Sequence, residues 1–538
     1  MQRAKKRAER AAVRSWFNGL RRWYRKFLLG LLRFRYLLFV VFIAGLIGAL
    51  WYAGKNMDFI LFPTEGADTI YIGVETKTGT SLRSNSERVR AVEKVLQELP
   101  PEELDTFVTR VGTFGWVWTG EGENYAYLMV NLTPYSRRTR TADEIVEEIR
   151  TKTENIEGIE RVLFYIDAGG PPVGRAVTLR VIGYDDEKRR ELTDEITAML
   201  GSIQGVKDIE RDDKLGKEQI EVKIDYEKLA RRGLTVADVA QNVRIAFDGE
   251  VVTTLREGDE DVDFRVILQE RARKDIRYLK NLTIPNVQGR LIKLGTVARF
   301  MPASGPNALY HFGGERTTTI EADVDTDVVT SLEITGQVLS SIDVENDWPE
   351  LRLEVGGEAE ESMKSIANLL LTFIIAFIGI YFLLILLFNS FTQPFLVMLA
   401  IPFGIIGVVI ALSVHGEPLS FLAMIGAIGL AGVVVNDSLV LVNHINDLRK
   451  SSPDEPIIKV VAQGTADRLR AIILTTLTTV AGLLPLAYGV GGSALYMAPT
   501  ALVLGYGLVF ATSLTLVLIP SLYMIGHDIG RVFQKKRG

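Results

Sequence analysis

The chain has 538 residues, of which 47% are hydrophobic and 24% are charged, so it is too long for one ordinary domain. It contains no cysteine, which excludes a disulfide framework and cysteine-ligated metal sites. The net charge of −5 is the sum of two opposite regions. The first 35 residues carry 12 Lys and Arg and one acid. Residues 56–362 carry roughly −20, which repels acidic surfaces, and we expect no nucleic-acid partner.

The basic N-terminal segment, residues 1–35, is not typical of a cleavable signal peptide, because no small-residue cleavage site follows its long basic stretch. Within it, Trp16–Arg35 places aromatic residues and leucines at helical spacing among arginines and lysines. This pattern predicts a cytoplasmic amphipathic helix that lies on the membrane surface. The alternative is a disordered basic tail.

Six apolar runs are long enough to span a membrane, since a hydrocarbon core of about 30 Å needs about 20 apolar residues in a helix. One precedes the charged region, within residues 36–54, and five follow it, within residues 363–526. The alternative, buried helices of a soluble protein, would need a very large core. The runs are Tyr36–Ala53, Ile366–Phe388, Phe395–Ser413, Leu419–Asn446, Ala471–Gly489 and Pro499–Ile525.

The basic residues predict the orientation of these spans. Lys and Arg concentrate in residues 1–35, in the loop predicted at Asp447–Arg470 and in the tail, residues 527–538. With six spans, all three regions lie on the cytoplasmic side when both termini do. Residues 56–362 are then periplasmic, and the protein is expected in a bacterial inner membrane.

Strand and helix patterns alternate through this exported region, which predicts an α+β domain with two split βαβ units. The first unit is expected at residues 55–170. The second is expected at residues 171–224 and 306–362, with strand patterns at Val177–Ile182 and Gln219–Ile224. Residues 225–305 are expected to form an insertion.

Several motifs resemble the C-terminal half of efflux permeases of the resistance–nodulation–division (RND) superfamily, of the hydrophobe/amphiphile type. The resemblance implies two ferredoxin-like porter subdomains with a docking insertion, together with a bundle of membrane-spanning helices. It also implies a trimer, a periplasmic adaptor, an outer-membrane channel and no cofactor. The motifs are GPPVGR at Gly170–Arg175, NSFTQPFLVMLAIPFGIIG at Asn389–Gly407, GVVVNDSLVLVNHIN at Gly432–Asn446 and RLRAIILTTLTTVAGLLPLA at Arg468–Ala487.

Asp437 is a carboxylate within an apolar span, flanked by valines before it and leucine and valine after it. A charge there costs about 2.5–3.5 kcal/mol or more unless it is paired, hydrated or protonated. An acid that is neutral in one state and charged in another couples proton passage to helix movement. The alternative is a satisfied polar contact that holds helices together.

The resemblance extends the proton relay to Asn436, Thr475 and Arg468, which match polar positions of the family. The relay it implies is incomplete, because the segment lacks the lysine of such C-terminal halves. Either a complementary N-terminal half supplies an aspartate pair, or copies of this chain associate, or the sequence is a fragment. The alternatives are that Thr475 bonds its own backbone and that Arg468 is an interfacial anchor.

Two further sets of residues are candidates. Gly426, Gly429 and Gly432 recur at every third position, which predicts a face for close helix packing. Phe114, Trp116 and Trp118 lie in a segment that resembles a substrate-lining loop, although they are equally typical of core aromatics. No metal site is expected, because the exported region has few methionines and a single histidine, His311.

The sequence therefore predicts a subunit of a proton-driven multidrug or amphiphile transporter, a secondary active transporter and not an enzyme. No nucleotide-binding motif occurs, so ATP is not the evident energy source. One alternative is a half-size accessory of protein or lipid export from the same superfamily. The other is a membrane scaffold that transports nothing, for which Asp437 would be dispensable.

Overall fold

The computed structural model describes residues 2–64, 66–115, 121–306, 308–490 and 495–535. The chain forms two compact units, one of Met1–Arg211 with His311–Gly538 and the other of Asp212–Tyr310. The first unit begins with α1 (Gln2–Leu31) and α2 (Arg35–Asn56), joined by a single 3-10 turn.

The predicted amphipathic segment is helical and packs against the bundle of apolar helices. Tyr24, Leu28 and Leu32 are buried in its core. The Tyr24 hydroxyl donates a 2.6 Å hydrogen bond to the carbonyl oxygen of Leu516. Trp23, on another face, is 61% exposed. One face of this helix therefore contacts protein, and its position on a membrane surface stays a prediction.

The first sheet follows, with four antiparallel strands in the order β3-β4-β2-β5. Two helices pack on it, and the apolar positions of one, Val89, Val92 and Leu96, recur at helical spacing and are buried. The other begins with a capping box formed by Thr141 and Glu144. The elements are β1 (Phe59–Ile60), β2 (Thr69–Thr76), α3 (Leu82–Gln97), β3 (Leu104–Thr113), β4 (Glu121–Leu132), α4 (Ala142–Thr153) and β5 (Ile159–Asp167).

Gly170–Arg175 leads from β5 into a second sheet, which begins with β6 (Val177–Ile182), α5 (Asp186–Ser202) and β7 (Val206–Arg211). The second compact unit then interrupts this sheet.

That unit contains three pairs of antiparallel strands. The pairs β8–β13 and β11–β12 contribute to a small apolar core, whereas the pair β9–β10 is exposed. Its first strand, β8, pairs with its last, β13, with Val222 opposite Phe300. The sequence pattern placed β8 in the second βαβ unit, because alternation indicates a strand but not its partner. The elements are β8 (Gln219–Ile224), α6 (Tyr226–Arg231), α7 (Val236–Phe247), β9 (Glu250–Glu257), β10 (Glu260–Val266), α8 (Glu270–Arg273), α9 (Ile276–Lys280), β11 (Thr283–Pro285), β12 (Leu291–Lys293) and β13 (Ala298–Ala303).

The second sheet is completed after this unit. Four of its five strands run in the order β7-β15-β6-β16, and β14 also pairs with β15. Strand connectivity therefore repeats that of the first sheet. Buried apolar residues between the sheet and its helices form a separate core. The completing elements are β14 (Tyr310–Phe312), β15 (Glu315–Val324), α10 (Ser331–Ser341), α11 (Val344–Asp347) and β16 (Arg352–Gly356).

Ion pairs join the two sheets at the end of the GPPVGR motif. Arg175 is buried and lies 2.6 Å from Asp323 and 3.4 Å from Glu210. Burial opposes its charge, but these carboxylates outweigh burial and hold the pKa of the guanidinium above its ordinary value. Arg161 of β5 lies 3.0 Å from the same Glu210 and 2.8 Å from Glu75 of β2. Breaking such a buried network leaves charges without partners, which is costly.

The described residues contain six helical segments long and apolar enough to cross a membrane, which confirms the number predicted. Several of them, including α12, α15, α16 and α17, extend further than hydropathy predicts. The predicted loop at Asp447–Arg470 is mostly helix, because α15 continues to Ser451 and α16 begins at Ile457. The remaining elements are α12 (Gly357–Phe388), α13 (Thr392–Met398), α14 (Ala400–His415), β17 (Leu419–Ser420), α15 (Phe421–Ser451), α16 (Ile457–Ala487) and α17 (Ala498–Lys535).

Substitution of Gly357, the first residue of α12, tests the junction between sheet and helix. Its φ is +65°, and an added Cβ would lie 2.5 Å from Thr178 Oγ1 and closer still to the Arg175 carbonyl oxygen. We expect Gly357→Ala to lower the free energy of unfolding by at least about 2 kcal/mol, because both the backbone conformation and the contact are unfavourable. Unfolding of the full chain in mixed micelles measures this.

Gly379→Ala is the matched control, since Gly379 lies in the same helix and has open space around it. It is expected to leave stability unchanged or to raise it by up to about 1 kcal/mol. Equal effects of the two substitutions would contradict the prediction.

Candidate functional site

Asp437 lies near the middle of α15, the sixteenth residue after the helix start at Phe421. Val434 and Val435 beside it are buried, whereas Asp437 itself is half-buried. In the described part of the chain, no hydrogen bond or ion pair to its carboxylate is present. Its own helix also supplies no nearby charge, because Asp437 is the only Asp, Glu, Lys or Arg in the run Leu419–Asn446.

Helix packing places Asp437 and Thr475 at similar depths. A Cβ on Gly464 of α16 would lie 3.0 Å from Ile445 of α15. The two helices run in opposite directions. Counting eight residues from this contact, back along α15 and forward along α16, therefore puts Asp437 level with Ile472. Thr475 is therefore within one helical turn of that level. The structure does not join the two side chains by a hydrogen bond.

The two threonines of α16 have different surroundings. Thr475 is exposed, and its hydroxyl donates to the carbonyl oxygen of Ile472 at 2.9 Å, in its own helix. Thr476 is buried, and its Oγ1 lies 3.0 Å from the Oγ1 of Thr512 on α17. Thr476 therefore links two helices, while Thr475 offers its hydroxyl to the open side of the bundle.

The other two predicted relay residues are not brought to Asp437. Asn436 directly precedes Asp437 on α15 and is exposed, about 100° around the helix from it. Arg468 is half-buried in the first half of α16, and its Nε is buried with no hydrogen-bond partner among the described residues. The structure thus places these four residues on two adjacent helices without connecting them.

A cluster of polar side chains around Asp467, in the first half of α16, was missed by the sequence analysis. Asp467 forms an ion pair with Arg21 of α1 and accepts a 2.8 Å hydrogen bond from Gln463. The Nε2 of His444 lies 3.6 Å from Asp467 Oδ2. His444 is seven residues beyond Asp437, so the two lie on one face of α15, about 10 Å apart along its axis.

A second group of titratable side chains lies at the opposite end of the bundle. His415 Nδ1 donates to the carbonyl oxygen of Ala411 at 2.7 Å, so Nε2 accepts from the Tyr488 hydroxyl at 3.1 Å. Tyr488 in turn shares a hydrogen bond with the hydroxyl of Tyr506. No sequence signal predicts this series of hydrogen bonds, because His415 and Tyr488 are 73 residues apart.

The three glycines do not share one packing contact. A Cβ at Gly426 would lie 3.0 Å from the Thr500 backbone oxygen, and one at Gly429 would lie 3.3 Å from Leu504. Gly432 has nothing within 4 Å among the described atoms. A step of three residues turns a helix by about 300°, so Gly432 has moved about 120° around from Gly426.

Phe114 of the predicted substrate path is only 2% exposed. Its ring centroid lies 4.2 Å from that of Tyr125, in a cluster that includes Tyr71 and Leu163. Trp116 and Trp118 lie outside the described residues. Among the described residues, no group of three or more histidines and acids has the arrangement of a metal site.

Comparison with known proteins identifies relatives over most of the chain. Residues 1–527 match the AcrB/AcrD/AcrF family. The chain is 28% identical over 464 residues to the cation efflux system protein CzcA of Alcaligenes sp. (strain CT14), covering 84% of this chain and 43% of that protein. It is 25% identical over 432 residues to the multidrug resistance protein MdtC of Proteus mirabilis (strain HI4320), covering 78% and 41%.

A solved crystal structure of a heavy metal efflux pump shares the fold, with a TM-score of 0.80 and 23% identity. The similarity covers 96% of this chain and 52% of that one. The chain therefore spans about half the length of the proteins it resembles.

Substitution of Gly426 tests the close contact of α15 with α17. We expect Gly426→Ala to lower the free energy of unfolding by about 1–3 kcal/mol, because the methyl group meets backbone that cannot move aside. Gly432→Ala, the matched control, is expected to cause no loss, since its methyl group meets open space. Titration with denaturing detergent measures both, and a larger loss for Gly432→Ala would contradict this packing.

Proposed function

The chain belongs to the AcrB/AcrD/AcrF family of RND permeases, and from this premise we propose that it is part of a proton-driven efflux transporter. Its work is then transport and not bond-making catalysis. Permeases of this superfamily sit in the inner membrane. We propose further that both termini are cytoplasmic and that residues 56–362 are periplasmic, which the distribution of Lys and Arg supports.

The observation that carries the proposal is the unpartnered, half-buried Asp437 at the centre of an apolar span. A carboxylate there is unfavourable as an anion and favourable once protonated, so its charge changes which arrangement of helices is stable. Because Asp437 faces partly toward the open side of the bundle, a second bundle or a water chain can reach it. Proton binding from one side and release to the other then accompanies movement of α15.

Neighbouring groups supply a route to both sides. Thr475 lies at the depth of Asp437 and can orient a water with its hydroxyl. Toward the inner end, His444 and Asp467 continue the same face. Arg468 and Asn436 complete the set that we propose for the relay.

The exported part supports a porter role. In both sheets, four strands share one order. The two strands joined by each βαβ connection have a strand of the other βαβ connection between them, as in ferredoxin-like subdomains. We propose that these are the porter subdomains and that residues 212–310 form the docking module for a periplasmic adaptor and outer-membrane channel. A complementary half or further copies, in a trimer, would complete the transporter. Phe114, Trp116 and Trp118 remain candidates for the substrate path.

Two substrate classes compete. Amphiphilic or multidrug substrates suit apolar and aromatic lining, and one relative is named a multidrug resistance protein. Metal cations are the second candidate, favoured by the 28% identity to a cation efflux protein. The negative charge of residues 56–362 attracts cations of either class.

Asp437→Asn tests proton coupling. Infrared difference spectra of the chain in lipid, between acidic and alkaline pH, are expected to lose one protonated-carboxyl band in this variant. In everted membrane vesicles, transport driven by the proton gradient is expected to fall by at least about tenfold, because the amide cannot bind and release a proton.

Asp447→Asn is the matched control, an exposed carboxylate on the same helix that is expected to leave transport unchanged. If the spectra of wild type and Asp437→Asn coincide, Asp437 does not titrate and the coupling proposal fails.

Growth of cells that carry the chain with its neighbouring genes separates the substrate classes. Export of amphiphiles is expected to protect against cationic dyes and bile salts, and this protection should vanish with Asp437→Asn. Protection against cobalt, zinc or cadmium salts alone would assign the transporter to metal cations instead.

A further inference from the structure

A cavity of about 510 Å³ lies at the ends of α12 and α15, beside the start of α13 and against α17. It is separate from Asp437 and from the relay. Its lining residues are Leu387, Phe388, Gln393, Asn443, Asn446, Arg449, Lys450 and Tyr523. This lining contains two cations and no Asp or Glu, so the cavity favours an anion.

The two cations are free to bind a ligand. Arg449 and Lys450 occupy the last turn of α15, and both are exposed. Neither has a carboxylate partner within the described residues. Two adjacent, unpaired cations at the mouth of one cavity are suited to oxygen atoms of a phosphate group.

The floor of the cavity is fixed by hydrogen bonds that leave further donors available. Tyr523, which is buried, donates its hydroxyl to Asn446 Oδ1 at 2.8 Å. Asn446 Nδ2 donates to Gln393 Oε1 at 2.9 Å. The acceptors of both amides are thereby used, and the amide nitrogen of Gln393 is left to donate into the cavity, together with that of Asn443.

The rim on the α12 side is apolar. Leu383, Leu386 and Leu387 are 64%, 65% and 62% exposed and lead along the helix to the cavity. Such a row of leucines, beside cations and hydrogen-bond donors that suit a phosphate, matches a molecule with an anionic headgroup and long hydrocarbon chains. A soluble phosphate ester would use the donors but leave the row of leucines uncovered.

We propose that this cavity binds the headgroup of an anionic phospholipid, with its phosphate at Arg449 and Lys450 and an acyl chain along the exposed leucines of α12. The donors lie at the ends of the apolar spans, which is the depth of lipid headgroups. This site does not depend on proton coupling or on the substrate that is exported.

Native mass spectrometry of the full chain in detergent tests the site. Dioleoyl phosphatidylglycerol and dioleoyl phosphatidylcholine share acyl chains and differ in charge, so selective retention of the former is expected. Each cation near an anionic lipid contributes about fivefold in affinity, so Arg449→Gln with Lys450→Gln should lower phosphatidylglycerol affinity by at least about tenfold.

The matched control is Lys459→Gln with Arg470→Gln, which removes two exposed cations of α16 that do not line the cavity. It should leave affinity near that of wild type, and an equal loss would overturn the site in favour of diffuse charge attraction. A second variant, Asn443→Asp, keeps the size of an exposed side chain while adding a negative charge, and is also expected to weaken binding.

Glycerol 1-phosphate distinguishes the two sources of phosphate. It should not displace phosphatidylglycerol at equal concentration, since it cannot contact the leucines of α12. Displacement would assign the cavity to a soluble phosphate ester, and equal binding of the two lipids by wild type would overturn the proposal.

Discussion

The hydrocarbon core of a membrane offers the backbone no hydrogen-bond partner, and this constraint governs the helix bundle. Each apolar segment satisfies its peptide groups within a helix, and polar side chains remain only where a neighbour receives them. Thr476 follows this rule by pairing with Thr512. Asp437 does not follow it, because none of the described residues meets its carboxylate. This exception is the reason we propose Asp437 as the residue that binds and releases the proton.

Hydropathy predicted the six spans because it measures the constraint directly. It did not predict where the helices end, since α12 and α16 continue through charged residues beyond their apolar parts. Alternation predicted the strands of both sheets in the same way. It misplaced Gln219–Ile224, because the partner of a strand depends on tertiary contacts that a pattern of period two does not contain.

The candidate site was predictable only where one residue contradicts its surroundings. Asp437 stands out as an acid in an apolar run, whereas Asp467 lies among other charged residues and gives no such signal. The contact of His415 with Tyr488 joins distant parts of the chain. For Gly432, a repeat of three residues does not match the 3.6 residues of a helical turn, so the expected face turns away from α17.

The helix α12 has 32 residues, which gives it a length of about 48 Å against about 30 Å of hydrocarbon. The helix is therefore longer than the hydrocarbon is thick, and strand β16 runs into its N-terminal end without an intervening loop. The backbone N–H of Glu358 donates to the Arg175 carbonyl oxygen at 2.9 Å, which fixes the N-terminal end of α12 to the second sheet. A tilt of this rod inside the lipid consequently becomes a sideways displacement of the sheet, with no flexible joint to absorb it.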